Sequence, residues 1–550
     1  MASGVWLRTA WRVLAAVCLL PAQVSSMAEP ADSRVGRSIY RDGLLASGQP
    51  LRATVQAGVA LEGAAAACVN CHRRSGLGGS EGQSKVRPVA GRLLFASAQS
   101  ELARRWGVPA GAGVARPPYS RASLARALRE GVDPAGRVLD ALMPRYALSD
   151  DDVAELQAYL EGLSPTGAAG VDEREIHFST IIAPGVQPQR RRAMLDVLQA
   201  FFRDKNGGSR QEARRREVGT EQMYLAYRRW VLHVWELEGA PQTWQSQLEA
   251  YYRTQPVFAV IGGLGSGGWQ PVHAFCEGLG LPCVFPDVDD AVDDGAGYYS
   301  LYYSRGIALE ADVLAKHVTQ THLGAGPIVQ VFRDNERGRV RANAMRDALR
   351  RRSIETIADR PVTDDKPLSA GFWTELLGAA RPGILILWLD AADVLSLAAS
   401  GEPPAGLKTV YGSARLSALQ QAGMLPDSWL ERIRLVDLFE PPDSRDRHLA
   451  RMNAWLRARH VPLADPRAQA NAYFAVAITG DAMASLGENF SRDYFIERIE
   501  NMAASSPSPS IYPRLSLGPG QRFASRGGYI LGFPKGAAGM PVPVTDWLVP

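Results

Sequence analysis

The sequence predicts a multidomain chain: an all-α domain over residues 35–165, then a two-lobed α/β domain over residues 175–540. Three observations predict it. The first part centres on Cys68-Val69-Asn70-Cys71-His72 and ends in an amphipathic helix. Ser164-Pro165-Thr166-Gly167-Ala168-Ala169-Gly170 is a run of small residues and proline, so residues 166–174 read as a linker. Beyond it, short apolar runs alternate with amphipathic helical patterns. Sustained strand–helix alternation argues for parallel sheet covered on both faces. The strands are too many for one comfortable sheet, hence two lobes.

Residues 1–28 read as an export signal. Arg8 and Arg12 give the positive start, Val13–Leu20 is a short apolar core, and Ser26-Met27-Ala28 is a small-residue cleavage site. The apolar core is too short to span a bilayer, and no other stretch approaches the eighteen or so apolar residues that spanning needs. Cys18 follows Val17 rather than Gly or Ala, which argues against a lipid anchor. The mature chain is therefore expected in the periplasm, without a membrane segment. The formal net charge of +4 is small, and no basic block interleaves with aromatics, so no nucleic-acid partner is expected. Arg190–Arg192 and Arg214–Arg216 read as solvated helix faces, with contact to an acidic redox partner as the alternative.

C-x-x-C-H is the attachment sequence for haem c. Two residues between the thiols let both sulfurs meet the ring from one helical turn, and the adjacent imidazole meets the iron. A redox dithiol or half of a zinc site are the alternatives; a zinc site would want a second Cys/His pair nearby, and none occurs before His177. Low-spin electron-transfer haems take Met or a second His as the other ligand. Met143 is the only methionine between Met27 and Met194, and His72 the only histidine before His177. Cys68, Cys71, His72 and Met143 are thus the expected haem-binding set, with a core methionine and an open iron as the alternative. After Leu142-Met143-Pro144-Arg145-Tyr146, Ser149 is a good N-cap with Asp152 as a capping-box partner. Val153, Leu156 and Leu160 then make one apolar face.

Residues 35–165 resemble a class I cytochrome c. The first helix carries Gly36 and Tyr40; CVNCH, a Gly-rich loop, the methionine loop and a last amphipathic helix come after it. The resemblance implies that the first and last helices cross and close a haem crevice. It also implies a proline whose carbonyl fixes the imidazole; Arg87-Pro88-Val89-Ala90-Gly91 resembles that place, with the proline displaced by one residue.

In the second part, expected strands include 176–183, 257–262, 283–286, 328–332, 383–389, 408–411 and 432–439. Helices are expected over 190–203, 243–254, 270–279, 309–319, 340–351, 372–380, about 445–460 and 466–487. The run Ile384-Leu385-Ile386-Leu387-Trp388 has the continuous apolarity of a strand buried on both faces. Residues 175–540 resemble type I periplasmic binding proteins of the branched-chain amino-acid-binding branch. The segments that carry this are Val257–Ser266, Leu281–Asp287, Ile328–Gly338 and, as the C-terminal ribbon, Tyr512–Gln521. The resemblance implies a ligand at strand ends, with Ser266 and the Gly267 amide holding a carboxylate. At the next strand end stand Asp287, Val288 and Asp289 where that family has small residues and Thr. An acid there would suit a cation, an amine or a polyol. Tyr303 and Ser304 are further candidates. Gly263, Gly265 and Gly268 also fit G-x-G-x-x-G, the dinucleotide fingerprint, and an ordinary tight loop is the plain alternative. His273, Ser266 and Asp287 are close in sequence, but nothing joins them as a catalytic set.

Without Cys18 and the haem pair, Cys276 and Cys283 remain. An oxidising compartment favours a disulfide between them; buried thiols are the alternative. The expectation is a non-enzymatic, periplasmic mono-haem cytochrome performing one-electron transfer, fused to a small-molecule-binding module. Its partners would be a redox protein, either a periplasmic (quinoprotein alcohol) dehydrogenase or another cytochrome, and a small ligand. The alternative is the solute receptor of an ABC-type transporter, or a ligand sensor, with an auxiliary haem.

Overall fold

The computed structural model describes residues 31–550 except 56–57, 82–83, 96–115, 164–167, 217–227, 266, 296, 322–323, 325, 364–365, 420–424, 488 and 535–539. The export signal and Ser266 thus lie outside the described residues. The chain divides into two compact units. The first takes the described residues of 1–72, 79–98 and 114–163, and the second takes those of 73–78 and 164–550.

In the first unit, the helices Ala31–Arg41 and Asp150–Gly162 pack against each other. Gly36 makes the close approach: a Cβ there would lie 2.1 Å from the Glu155 carbonyl oxygen. Tyr40 and Tyr159 meet at 5.3 Å between ring centres, and Arg41 Nε donates to the Tyr159 hydroxyl at 2.9 Å. Ser149 caps the second helix in a reciprocal box with Asp152. A third helix, Arg121–Glu130, is capped by Ser120 and ends at left-handed Gly131. The unit is not all-α. β1 (Arg52–Thr54) pairs antiparallel with β2 (Ala60–Glu62) and with β5 (Arg145–Tyr146), and β3 (Gly79–Glu81) pairs with β4 (Ser84–Val86). Strands of two or three residues are too short to leave a period-two signature in sequence.

Among the described residues, the second unit holds two sheets of seven strands each. The first sheet is parallel, with β6 (Glu175–Ile182) central between β7 (Arg229–Glu236) and β8 (Ala259–Ile261). It continues through β9 (Leu264–Gly265), β10 (Cys283–Val284), β11 (Asp287–Val288) and β12 (Ser300–Leu301). The second sheet runs β14 (Ile357–Val362), β13 (Ile328–Arg333), β15 (Ile384–Trp388), β16 (Thr409–Ser413), β17 (Ile433–Asp437), all parallel. The antiparallel strands β18 (Tyr529–Gly532) and β19 (Val542–Pro543) complete it. Every residue of β15 is buried, as its unbroken apolar run demands. The helix Pro466–Leu486 packs on the first sheet's side, against the helix Pro188–Arg216. No helix among the described residues is long and apolar enough to cross a membrane.

Besides the two- and three-residue strands, β7 and β18 escape the sequence reading. β7 mixes Arg229, His233 and Glu236 among its apolar residues, and β18 replaces the expected ribbon at 512–521. The expected helix 445–460 is broken at Leu449 into Pro442–His448 and Ala450–Ala458.

Candidate functional site

Val69–His72 forms a single helical turn. Asn70 Nδ2 donates to the Ala64 carbonyl at 2.8 Å and fixes the entry to that turn. Cys68 is buried and Cys71 exposed, and burial pushes the Cys68 thiol up to about 12. His72 is buried. Its Nδ1 lies 3.0 Å from the Arg87 carbonyl oxygen, and its Nε2 is buried with no hydrogen-bond partner among the described residues. Burial lowers the His72 pKa, and the Arg87 hydrogen bond only partly offsets this, which favours the neutral ring. The carbonyl comes from Arg87, the residue before Pro88. Met143 is half-buried against the same apolar cluster that contains Cys68, Leu94 and Tyr146. β5 lies directly after it and pairs Tyr146 with Ala53, which anchors the methionine loop.

These residues fit a covalently attached haem. A buried imidazole nitrogen without a partner is costly unless something fills its lone pair. The other ring nitrogen is tied to a carbonyl, the arrangement usual for metal-ligating histidines.

In the second unit, the strand ends of the first sheet gather Asp287 and Asp289. Asp287 is 4% exposed, and both its oxygens are taken. Arg190 Nη2 donates to Oδ2 at 2.8 Å and Arg467 Nε to Oδ1 at 2.9 Å. Arg467 Nη2 also reaches Asp289 Oδ1 at 2.9 Å, and Arg415 Nη2 reaches Asp289 Oδ2 at 2.9 Å. The result is an unbroken chain Arg190–Asp287–Arg467–Asp289–Arg415. Arg415 lies just beyond β16 and Asp289 just beyond β11, so this last pair joins the two lobes. Burial alone would raise both carboxyls. Arg467 outweighs it, with Arg190 at Asp287 and Arg415 at Asp289, so Asp287 is lowered and Asp289 falls to about 2. Burial opposes the charge on Arg467, but the two aspartates hold its pKa above the ordinary value. Nearby, burial pushes Glu310 up to about 7.

Several expectations are corrected here. Asp287 does not present an open carboxylate to a cation, amine or polyol, because the protein's own guanidinium groups occupy it. Arg190 is not on a solvated face; it pairs with Asp287, while Arg191 pairs with Glu236. Arg190 and Arg467 were legible in one respect. Each lies in the first turn of a helix, where the dipole disfavours cations and a compensating acid is needed. Gly267 is exposed. Tyr303 is 2% exposed, donates to the Asn471 carbonyl at 2.5 Å and stacks on Tyr512, so it serves as packing beside the strand ends. Ser304 Oγ lies 3.3 Å from the Tyr512 hydroxyl. His273 binds Tyr302 and Asp294 at 3.0 and 3.1 Å, away from Asp287. Cys276 and Cys283 are neighbouring, fully buried thiols without the expected bond between them. An apolar cluster accepts free thiols as small hydrophobes. Burial, then the neighbouring Cys283, raises the Cys276 pKa. Trp269 and Trp388 are core residues.

No protein-family model and no curated protein matches this sequence. Solved structures do. A branched-chain amino acid ABC transporter protein from Thermus thermophilus with bound valine is 13% identical, with a TM-score of 0.50 over 69% of this chain and 98% of its own. A fatty acid ABC transporter substrate-binding protein from Thermomonospora curvata is 16% identical, with a TM-score of 0.47 over 70% of this chain and 95% of its own. The likeness to the Thermus protein is one of fold. The second unit has the α/β architecture of periplasmic binding proteins, with parallel sheets, and at this identity no ligand is carried across.

Proposed function

We propose that the chain is an exported solute-binding protein that carries one covalent haem c. Cys68 and Cys71 would hold the haem through their sulfurs, with His72 Nε2 and Met143 as iron ligands. A haem so ligated supplies a one-electron couple. The observation that carries this part is the buried, unpartnered Nε2 of His72, oriented by the Arg87 carbonyl. The chain's own contribution is to keep the imidazole neutral, aimed and shielded from water. The binding-protein fold supports a receptor or ligand sensor as the role of the second unit, with binding rather than catalysis as its activity.

A second reading is favoured by one observation. Because Asp287 and Asp289 are already paired within the protein, the second unit also suits a module that docks a redox partner instead of a solute. The first unit would then carry electrons for a periplasmic dehydrogenase or another cytochrome.

Two measurements test these readings. The full chain, made in a host that attaches haem c, should contain one haem per chain, and Cys68→Ser with Cys71→Ser should contain none. A wild-type chain without haem would remove the cytochrome reading. A thermal-shift screen with amino acids, amines, short acids, alcohols and polyols then decides the second unit's role. A true ligand at about a hundred times its Kd should add about 2.7 kcal/mol of stability. A clear hit establishes the receptor, and none across the panel favours the docking module.

A further inference from the structure

At the opposite end of the first sheet from the aspartate–arginine chain, three donor groups converge where β6 begins. Asp172 lies in the turn before the strand. Glu175 and His177 are two residues apart on β6 and therefore share one face. One ligand atom from each of the three lies within 4.8 Å of the others.

The groups are arranged so that one atom of each is engaged structurally and the other is turned inward. Asp172 Oδ1 accepts from the Arg174 and Glu175 amides, both at 2.7 Å. Glu175 Oε1 takes Arg229 Nη1 at 3.2 Å. His177 Nδ1 lies 3.0 Å from His233 Nε2 on the neighbouring strand β7, and the two rings stack at 5.3 Å. The remaining atoms face one another: His177 Nε2 stands 3.9 Å from Asp172 Oδ2 and 3.6 Å from Glu175 Oε2. Both distances are too long for hydrogen bonds. They suit one ion between them, because ligands about 2.1 Å from a shared zinc-like centre lie roughly 3–4 Å apart. Asp172 is exposed, so its side chain can close the remaining gap.

The contact with His233 is the independent sign. If His177 Nδ1 carries the proton and donates to His233, the lone pair of Nε2 is free and directed at the two carboxylates. This is the tautomer that a metal-ligating histidine requires, held here by a neighbouring imidazole in the place that a carboxylate or carbonyl more often takes.

We propose that Asp172, Glu175 and His177 form a site for one divalent transition-metal ion of the zinc class, with His233 as the positioning residue. The donor set of one imidazole and two carboxylates leaves a fourth position for water. The ion would tie the turn at 172 to the sheet.

The test is calorimetric titration of the chelator-treated, haem-containing full chain with Zn2+ alone. One equivalent should bind saturably. His177→Gln should abolish that binding, and His233→Phe, which replaces no proposed ligand, should weaken it by about tenfold to hundredfold. Haem content should be the same in all variants. If His177→Gln fails to fold, Asp172→Asn on the exposed turn should show the same loss. No saturable uptake by the wild-type chain overturns the proposal, and so does unchanged affinity in His177→Gln or Asp172→Asn.

Discussion

His72 shows how a single side chain can be set for its task by one backbone atom. The Arg87 carbonyl fixes which ring nitrogen is protonated, and burial keeps the ring neutral. Met143 is the second ligand in the proposed reading. Met143→Ala should therefore lose the visible absorption band of iron–sulfur ligation while haem content stays the same; an unchanged spectrum would remove Met143 as ligand. Asp289 invites a different test. Its folded pKa, about 2, lies below the ordinary carboxylate value. A depressed carboxyl contributes stability that is full above the unfolded pKa, near 4, and is lost as pH falls through the folded one. Stability of the full chain to urea should thus fall between about pH 4 and pH 2 by roughly 2 kcal/mol, and Asp289→Asn should flatten that slope. Arg467→Ala at pH 7 should cost more, about 3 kcal/mol, because it leaves buried Asp287 with Arg190 alone and Asp289 with Arg415 alone. The C-x-x-C-H turn is visible in the sequence because its residues are consecutive. The pairing of Asp287 with Arg190 and Arg467 is not, because the partners lie 97 and 180 positions away.

At the scale of elements, Gly36 sets how closely the first and last helices of the first unit approach. Inside a helix, Gly→Ala ordinarily stabilises by about 1 kcal/mol. Here the added methyl group would meet the Glu155 carbonyl and the Tyr159 side chain. The sign should reverse, so Gly36→Ala should lower the thermal midpoint of the first unit, monitored by haem absorption. A raised midpoint would mean that the helices can slide apart at no cost. The helices themselves were readable from apolar spacing and from the Ser149–Asp152 box, since both depend only on residues within a few positions. β7 was missed for the opposite reason. It alternates imperfectly, because this edge strand carries Arg229, His233 and Glu236 among its apolar residues, and only the pairing with all eight residues of β6 identifies it as a strand. The short strands of the first unit likewise acquire their identity from partners, not from pattern.

For the whole molecule, the division into a C-x-x-C-H unit and two α/β lobes came from alternation sustained over hundreds of residues. The occupant of the strand ends did not, because the protein fills part of that place with its own side chains. The Asp289–Arg415 pair joins the lobes, so separating them must break it. Arg415→Ala should widen the distribution of lobe–lobe distances measured by spin labels placed on the two sheets, and a distribution like that of the wild type would show that the pair does not hold them. The same chain of five charges has a consequence for descent. Each interior member touches two neighbours of opposite sign, so replacing one weakens the charge compensation of both. Change at these positions is therefore expected to proceed by linked substitutions. In a set of natural relatives, Arg190, Asp287, Arg467, Asp289 and Arg415 should be kept or exchanged as a block, and a lineage that has lost one of them should show its compensation at the position next along the chain.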